Sequence, residues 1–288
     1  MFFSQQGWLS MKKILLFSII IVLLSPLKVS AQYNQQVTTP SSTTIPPPNS
    51  SSAQWQVSSS LTYTTGDFGT NTTTDTVYIP VTLTRYFSKG SVDWTIPYVY
   101  KKSGPGVTLL EGRPFRTSHQ NDGTRTDSGL GDMLLKGSYY LLEEEDSKPL
   151  NASLIGQIKF PTADDDKCLG TGEFDETTGI ELSKSLNEDW RILTNLYYTF
   201  IGDPHGVNLK NEFAFDLGAE YKLNSETWTH FYYEEKTALI SHTSNPRAVF
   251  IGADYQLDPS INIVGDLGIG LSEGSPDFGI TVGAGVKF

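Results

Sequence analysis

A single cysteine, Cys168, stands in the whole chain of 288 residues, so no internal disulfide braces the fold and a disulfide scaffold is excluded. Basic residues are scarce as well. Against 32 Asp and Glu there are 21 Lys and Arg, a formal net charge of −11, and nucleic acid is excluded as a partner because neutralising phosphates needs basic residues in excess. Only one long apolar run exists, residues 14–24, which is too short to cross a bilayer as a helix. The sequence has no G-x-S-x-G nucleophile setting and no Gly-rich phosphate cradle leading into a helix, and no segment reads as an amphipathic helix. No catalytic, cofactor or metal site is therefore expected.

The one apolar run has a clear place. Lys12 and Lys13 precede it, Pro26 breaks it, and Val29-Ser30-Ala31 offers small residues for cleavage. That is the layout of a secretory signal peptide over residues 1–31, with Met11 as a possible true start. There is no cysteine near the cleavage site to carry a lipoprotein anchor. Cleavage removes Lys12, Lys13 and Lys28 and no acid, so the remainder is more acidic still. Residues 32–53 are rich in Ser, Thr and Pro, with Pro46-Pro47-Pro48 at their centre. Such a stretch buries too little apolar area to offset its ordering entropy, and a disordered N-terminal arm is expected.

From residue 54 to 288 the texture is period two. Val92, Trp94, Ile96, Tyr98 and Tyr100 oppose Asp93, Thr95 and Lys101; Trp190, Ile192, Leu196, Tyr198 and Phe200 oppose Arg191, Asn195 and Thr199. Phe213, Phe215, Leu217, Ala219 and Tyr221 oppose Glu212, Asp216 and Glu220, and similar segments recur around 55–63, 77–84, 150–160, 249–257 and 261–269. Alternation of this kind puts one set on each face of a strand. Counting irregular segments at 128–143, 172–186 and 227–238 gives about twelve strands, the even number that single-chain bacterial barrels have. The predicted fold is all-β, a closed antiparallel transmembrane β-barrel. Short turns at 88–90, 143–149, 187–189, 224–226 and 258–260 fall on one side. The two longest connections, Ser103–Asp127 and Thr162–Thr171, are expected to face outward on the other. Trp55, Tyr63, Phe87, Tyr100, Trp190, Phe200 and Trp228 fall near strand ends as candidate interfacial girdles.

Charges in mid-strand tilt the reading from a soluble sandwich, which accepts them only on its solvent faces, towards a barrel. Asp93, Lys136, Lys159, Arg191, Glu212, Asp216, Glu220, Asp254 and Asp266 suit a hydrated lumen, where rings of charge set solute preference. Paired charges that merely brace the lumen are the plainer reading of the same residues. The last segment adds a second mark. Phe278, Ile280, Val282, Ala284, Val286 and the terminal Phe288 share one parity, and an aromatic end on such a strand resembles the signal that the barrel-assembly machinery of outer membranes reads.

Ser128-Gly129-Leu130-Gly131-Asp132, Lys136-Gly137-Ser138-Tyr139-Tyr140 and Leu154 through Thr162, ending Lys159-Phe160-Pro161-Thr162, resemble an outer-membrane barrel family of the putative phenol-degradation meta-pathway type. The acidic loop Ala163–Gly172 follows as it does there. The resemblance covers roughly 54–288 and implies a transporter in outer-membrane lipid of a Gram-negative cell, moving a small solute, aromatic or hydrophobic among the options. It carries over no substrate residues.

Two rival chemistries have partial support in the sequence. Asp164-Asp165-Asp166 with Glu176 gives an incomplete calcium loop, because Lys167 and Leu169 occupy positions that need side-chain oxygens; a solvated acidic loop fits better, with Cys168 an exposed thiol. An outer-membrane acyl hydrolase needs a serine held against one of His119, His205, His230 or His242 with oxyanion donors. A structural or adhesive barrel with a blocked lumen is the third alternative, and would act through Ser103–Asp127.

Overall fold

The computed structural model describes residues 55–117, 123–145, 149–204 and 206–288; the signal segment, the arm, His119 and His205 lie outside them. The chain runs as β1 (Trp55–Gly66), β2 (Thr74–Phe87), β3 (Gly90–Ser103), β4 (Val107–Leu110), β5 (Arg113–Arg116), β6 (Arg125–Leu130), β7 (Met133–Leu142) and β8 (Asn151–Phe160). It continues as β9 (Asp175–Ser185), β10 (Trp190–Phe200), β11 (Glu212–Lys222), β12 (Thr227–Lys236), β13 (Arg247–Asp258), β14 (Ile261–Gly270) and β15 (Phe278–Lys287).

Every pairing is antiparallel, and β1 pairs with β15 as well as β2, which closes the sheet on itself. Beyond that seam, Trp55 N–H donates to the Phe288 carbonyl at 3.1 Å and Phe288 N–H returns a bond to Trp55 at 2.9 Å. β6 and β7 are two halves of one stave, both paired with β3, so the barrel has twelve staves. The break between them is Gly131-Asp132. It lies across from Pro97, which has no N–H to give the ladder and whose carbonyl accepts from Gly131 N–H at 2.9 Å. Here the stave slips by one residue in register, which turns Asp132 inward.

The faces sort as the alternation requires. Leu217 is 59% exposed, Ile251 58% and Val282 52%, all on the outer face, whereas Asp216 is 1% and Lys159 0% exposed on the inner one. A continuous apolar outer surface over charged inner walls suits lipid outside and water within. Trp55, Phe87, Trp190 and Phe200 are exposed near stave ends and Tyr100 is half-buried. Two aromatics depart from the expected girdles. Trp228 shares the inner face with His230 and Glu234, under the Arg191 guanidinium at 5.0 Å. Tyr63 is buried, with its hydroxyl donating to Asp75 at 2.9 Å.

Four of the short turns, 88–90, 187–189, 224–226 and 258–260, lie at the end that holds Trp55 and Phe288; residues 146–148 of the fifth lie outside the described residues. The opposite end carries the longer connections, and the longest corrects an expectation. Rather than standing outward, 104–124 contains the hairpin β4–β5, whose Leu109 and Leu110 are buried. The apolar run Val107-Thr108-Leu109-Leu110 drives this, since it has no lipid to face and finds wall and loop side chains instead.

Leu217→Arg, at the middle of β11 on the lipid face, is expected to destabilise the barrel by about 2–4 kcal/mol. The same change at Leu271, beyond the end of β14, is expected to shift the midpoint far less. Reversible urea unfolding in vesicles checks both.

Candidate functional site

The hairpin turns on Leu110-Glu111-Gly112-Arg113. Glu111 (φ 50°) and Gly112 (φ 82°) are both left-handed, which is the two-residue turn whose twist matches its strands. Glycine is required at 112, where a Cβ would lie 2.4 Å from a Tyr78 ring carbon. Glutamate at φ 50° is strained by on the order of 1–3 kcal/mol, and such strain persists only where surroundings hold it.

Three walls hold this tip. Tyr78 of β2 packs against Gly112, Gln157 Nε2 of β8 donates to Glu111 Oε1 at 2.9 Å, and the Arg113 guanidinium forms a buried ion pair with Glu212 of β11. Behind the tip, Leu109 joins Tyr78, Val99, Ala163 and Leu169, while Leu110 joins Ile201, Val207, Leu209 and Leu239. Burying each leucine contributes about 2 kcal/mol. The hairpin thus spans the lumen and narrows it. One cavity of about 90 Å³ lies against the Glu111 side, lined by Lys136, Asp175, Tyr197, Asp216, Glu234 and Lys236 among others. Another of about 120 Å³ lies among the hairpin and the loops 237–246 and 271–277, with Phe68, Phe115, Leu239, Ile240 and His242 in its lining.

Charged inner residues form rows across the staves. Arg191, Glu220, His230, Gly252, Asp266, Thr281 and Thr62 are successive register partners from β10 round to β1. Arg191 pairs with Glu220 at 2.9 Å, and Thr281 donates to Thr62 at 3.2 Å. His230 Nε2 meets Asp266 Oδ1 at 2.5 Å, and its Nδ1 lies 3.2 Å from Asp254 Oδ2. Gly252 permits the first contact, since a Cβ there would sit 2.3 Å from the Asp266 oxygen. A second row runs Glu181, Asn195, Asp216, Glu234. In it Asn195 Nδ2 donates to Asp216 at 3.3 Å, and Glu181 accepts from Lys136 at 3.1 Å and from the Tyr197 hydroxyl at 2.8 Å. Asp93 is half-buried beside Lys136.

Lys159 is the most enclosed charge. It lies 2.7 Å from Asp175 and 3.4 Å from Asp132, and donates to Thr171 Oγ at 2.6 Å. Asp132 Oδ1 in turn accepts from the N–H groups of Thr162 and Ala163 at 3.1 and 3.0 Å. The Gly-Asp and Lys-Phe-Pro-Thr motifs therefore meet in one knot that ties the stave break to the following loop. In that loop, Asp164 pairs with Lys167 at 2.7 Å, and Cys168 is half-buried rather than exposed. Among the described residues no group of three His, Cys, Asp or Glu side chains is placed to hold a metal ion.

Every charge proposed from the sequence lies on the inner face, tied to a neighbour or, for Asp93, beside one. Sequence reasoning missed Glu111, Arg113, Gln157, Glu181 and Tyr197, and assigned no role to His230. The signal for the first two was slight: Glu111-Gly112 follows the apolar run Val107–Leu110, but Arg113-Pro114-Phe115-Arg116 after it does not read as an alternating strand. The parity of β12, with His230 and Glu234 in step, also placed His230 on the inner face.

A family model described as "Putative MetA-pathway of phenol degradation" matches residues 35–288. No curated protein matches the chain. Among solved structures, an outer membrane channel from Pseudomonas putida F1 superimposes with a TM-score of 0.59 at 12% identity, covering 81% of this chain and 94% of that one. The P. putida toluene transporter TodX gives 0.43 at 12% identity over 82% and 80% of the two chains. The NanC porin gives 0.48 at 12% identity over 81% and 98%. The first of these shares the barrel fold.

Two outcomes are expected of this site. Lys159→Met strands two buried carboxylates and is expected to destabilise by about 3–5 kcal/mol, with most of the loss recovered in Lys159→Met/Asp132→Asn/Asp175→Asn; denaturation midpoints check it. Burial, reinforced by Asp175 and Glu212 and opposed by Lys159 and Lys236, pushes the Glu111 carboxyl up to about 7. A raised acid binds its proton more tightly in the folded state, so its contribution is complete below pH 4.5 and is lost as pH rises through 7. Hydrogen exchange at Leu109–Arg113 is expected to be slower at pH 5.5 than at pH 8 after correction for intrinsic rates, and Glu111→Gln is expected to abolish that difference.

Proposed function

The chain belongs to the family described as a putative MetA pathway of phenol degradation, and from that premise we propose that it is an outer-membrane channel passing a small solute down its concentration gradient. One observation carries the reading: a closed barrel, apolar outside and charged within, is narrowed by an inward hairpin to cavities of molecular size. An apolar cavity of about 150 Å³ admits benzene, so spaces of about 90 and 120 Å³ suit one small molecule and demand some movement of the hairpin. The family's description brings small aromatic compounds to the chain as the solute class. Residues 1–31 act as the export signal. Phe278, Ile280, Val282, Val286 and Phe288 are the strand presented to the barrel-assembly machinery.

The protein acts without catalysis. An acyl hydrolase needs a ring nitrogen able to take a proton from serine, and both nitrogens of His230 face aspartates. An adhesive role for 103–127 fits poorly with a connection whose β4–β5 segment is buried. The charges of the inner rows set solute preference by acting along the path, with acid in excess.

In planar bilayers the refolded protein is expected to give small discrete conductance steps, with reversal potentials in a salt gradient favouring cations. Asp254→Asn/Asp266→Asn is expected to reduce that preference. Folded, inserted protein that shows neither current nor solute flux in liposomes sinks the channel reading.

A further inference from the structure

The two cavities share one residue. Arg113 lines the inner cavity beside Glu212, and it also lines the outer one beside Phe115 and Glu273. Its ion pair with Glu212 is therefore part of the partition between them. The pair is unlike the other lumenal ion pairs, because one partner rides on the hairpin and the other is fixed in the wall of β11. Lys136–Glu181 and Arg191–Glu220 join wall to wall. Were the hairpin to move away from β11, Arg113 would part from Glu212 and leave a buried carboxylate needing a positive partner.

The surroundings select what can supply it. In the inner cavity four carboxylates, with Glu111 a part-ionised fifth near neutral pH, stand against three cations, so acid is in excess and an entering anion is disfavoured. The outer cavity offers apolar side chains in Phe68, Phe115, Leu239 and Ile240 to hold a small ring, and its lining also carries Arg113 and Arg116 against the single carboxylate of Glu273.

We propose that the Arg113–Glu212 pair is the gate of this channel, and that it admits small arylalkyl cations, whose ammonium replaces the guanidinium on Glu212 while the ring rests against Phe115 and Leu239. This rests on the channel reading and narrows it to one charge class. Exchange of one cation for another keeps Glu212 paired throughout passage. An anion or a neutral ring leaves the carboxylate without a counter-charge once the hairpin shifts.

Benzylammonium and benzoate test this directly, because they share a ring and differ in charge. Reversal potentials across a gradient of benzylammonium benzoate, the one salt of both probes, are expected to show benzylammonium passing about tenfold or more better than benzoate. Arg113→Gln is expected to raise single-channel conductance about threefold or more. Glu212→Gln is expected to raise conductance while reducing the preference for benzylammonium. The exchanged pair Arg113→Glu/Glu212→Arg is expected to return conductance toward that of the parent protein. Heat-dependent gel mobility reports whether each variant is a folded barrel, and block of potassium current by benzylammonium in the unaltered protein needs no variant at all. A conducting protein with equal passage of the two probes, or with conductance unchanged in Arg113→Gln, overturns the gate and leaves the channel standing. Silence of the folded, inserted protein and all variants overturns both.

Discussion

Hydrocarbon offers a peptide group nothing to bond with, and this barrel is organised by that constraint. Every stave must find a neighbour on each side, so β1 and β15 must meet, and they do over Gln56–Lys287 to Thr65–Phe278. Closure then fixes what each residue faces. Lipid takes Leu217, Ile251 and Val282, and whatever alternates with them is forced inward whether or not it is polar. The charged interior is in this sense a consequence of pairing, and the chemistry of the lumen is written on the face that lipid leaves over.

Inward charges are tolerable only in company. Lys159 lies between Asp132 and Asp175, His230 between Asp254 and Asp266, and Glu181 between Lys136 and Tyr197. These groups come from neighbouring or next-but-one staves, so each tie also braces the barrel's register. Bracing and solute preference are not competing descriptions of these residues. A charge held in place by its neighbour still presents a field to whatever passes.

The sequence made the barrel legible because period two is a local property, readable in any ten residues such as Phe213–Lys222. The short turns were legible for the same reason. Trp228 was not: its neighbours on β12 mix aromatic and charged residues on both parities, and only the pairing to β11 and β13 decides which face it takes. The hairpin was hidden more deeply. Its strands are four residues each, and what brings them inward is contact with Tyr78, Val99, Ile201 and Leu239, which are distant in sequence. The Gly131-Asp132 break lay inside a motif that had been noticed, yet its purpose, aiming one carboxylate at Lys159, depends on a register slip that alternation alone cannot display.

The closing seam also governs when the molecule can exist. Thr62 and Thr281 bond across it with 219 positions between them, so the first stave waits with an unpaired edge until the last has been made. Every shorter version of the chain is an open sheet with two raw borders, liable to join a neighbour's border instead of its own. A barrel of this kind cannot be built piecemeal as it emerges. The last stave supplies the first with its second neighbour, and the paired bonds between Phe288 and Trp55 complete that seam.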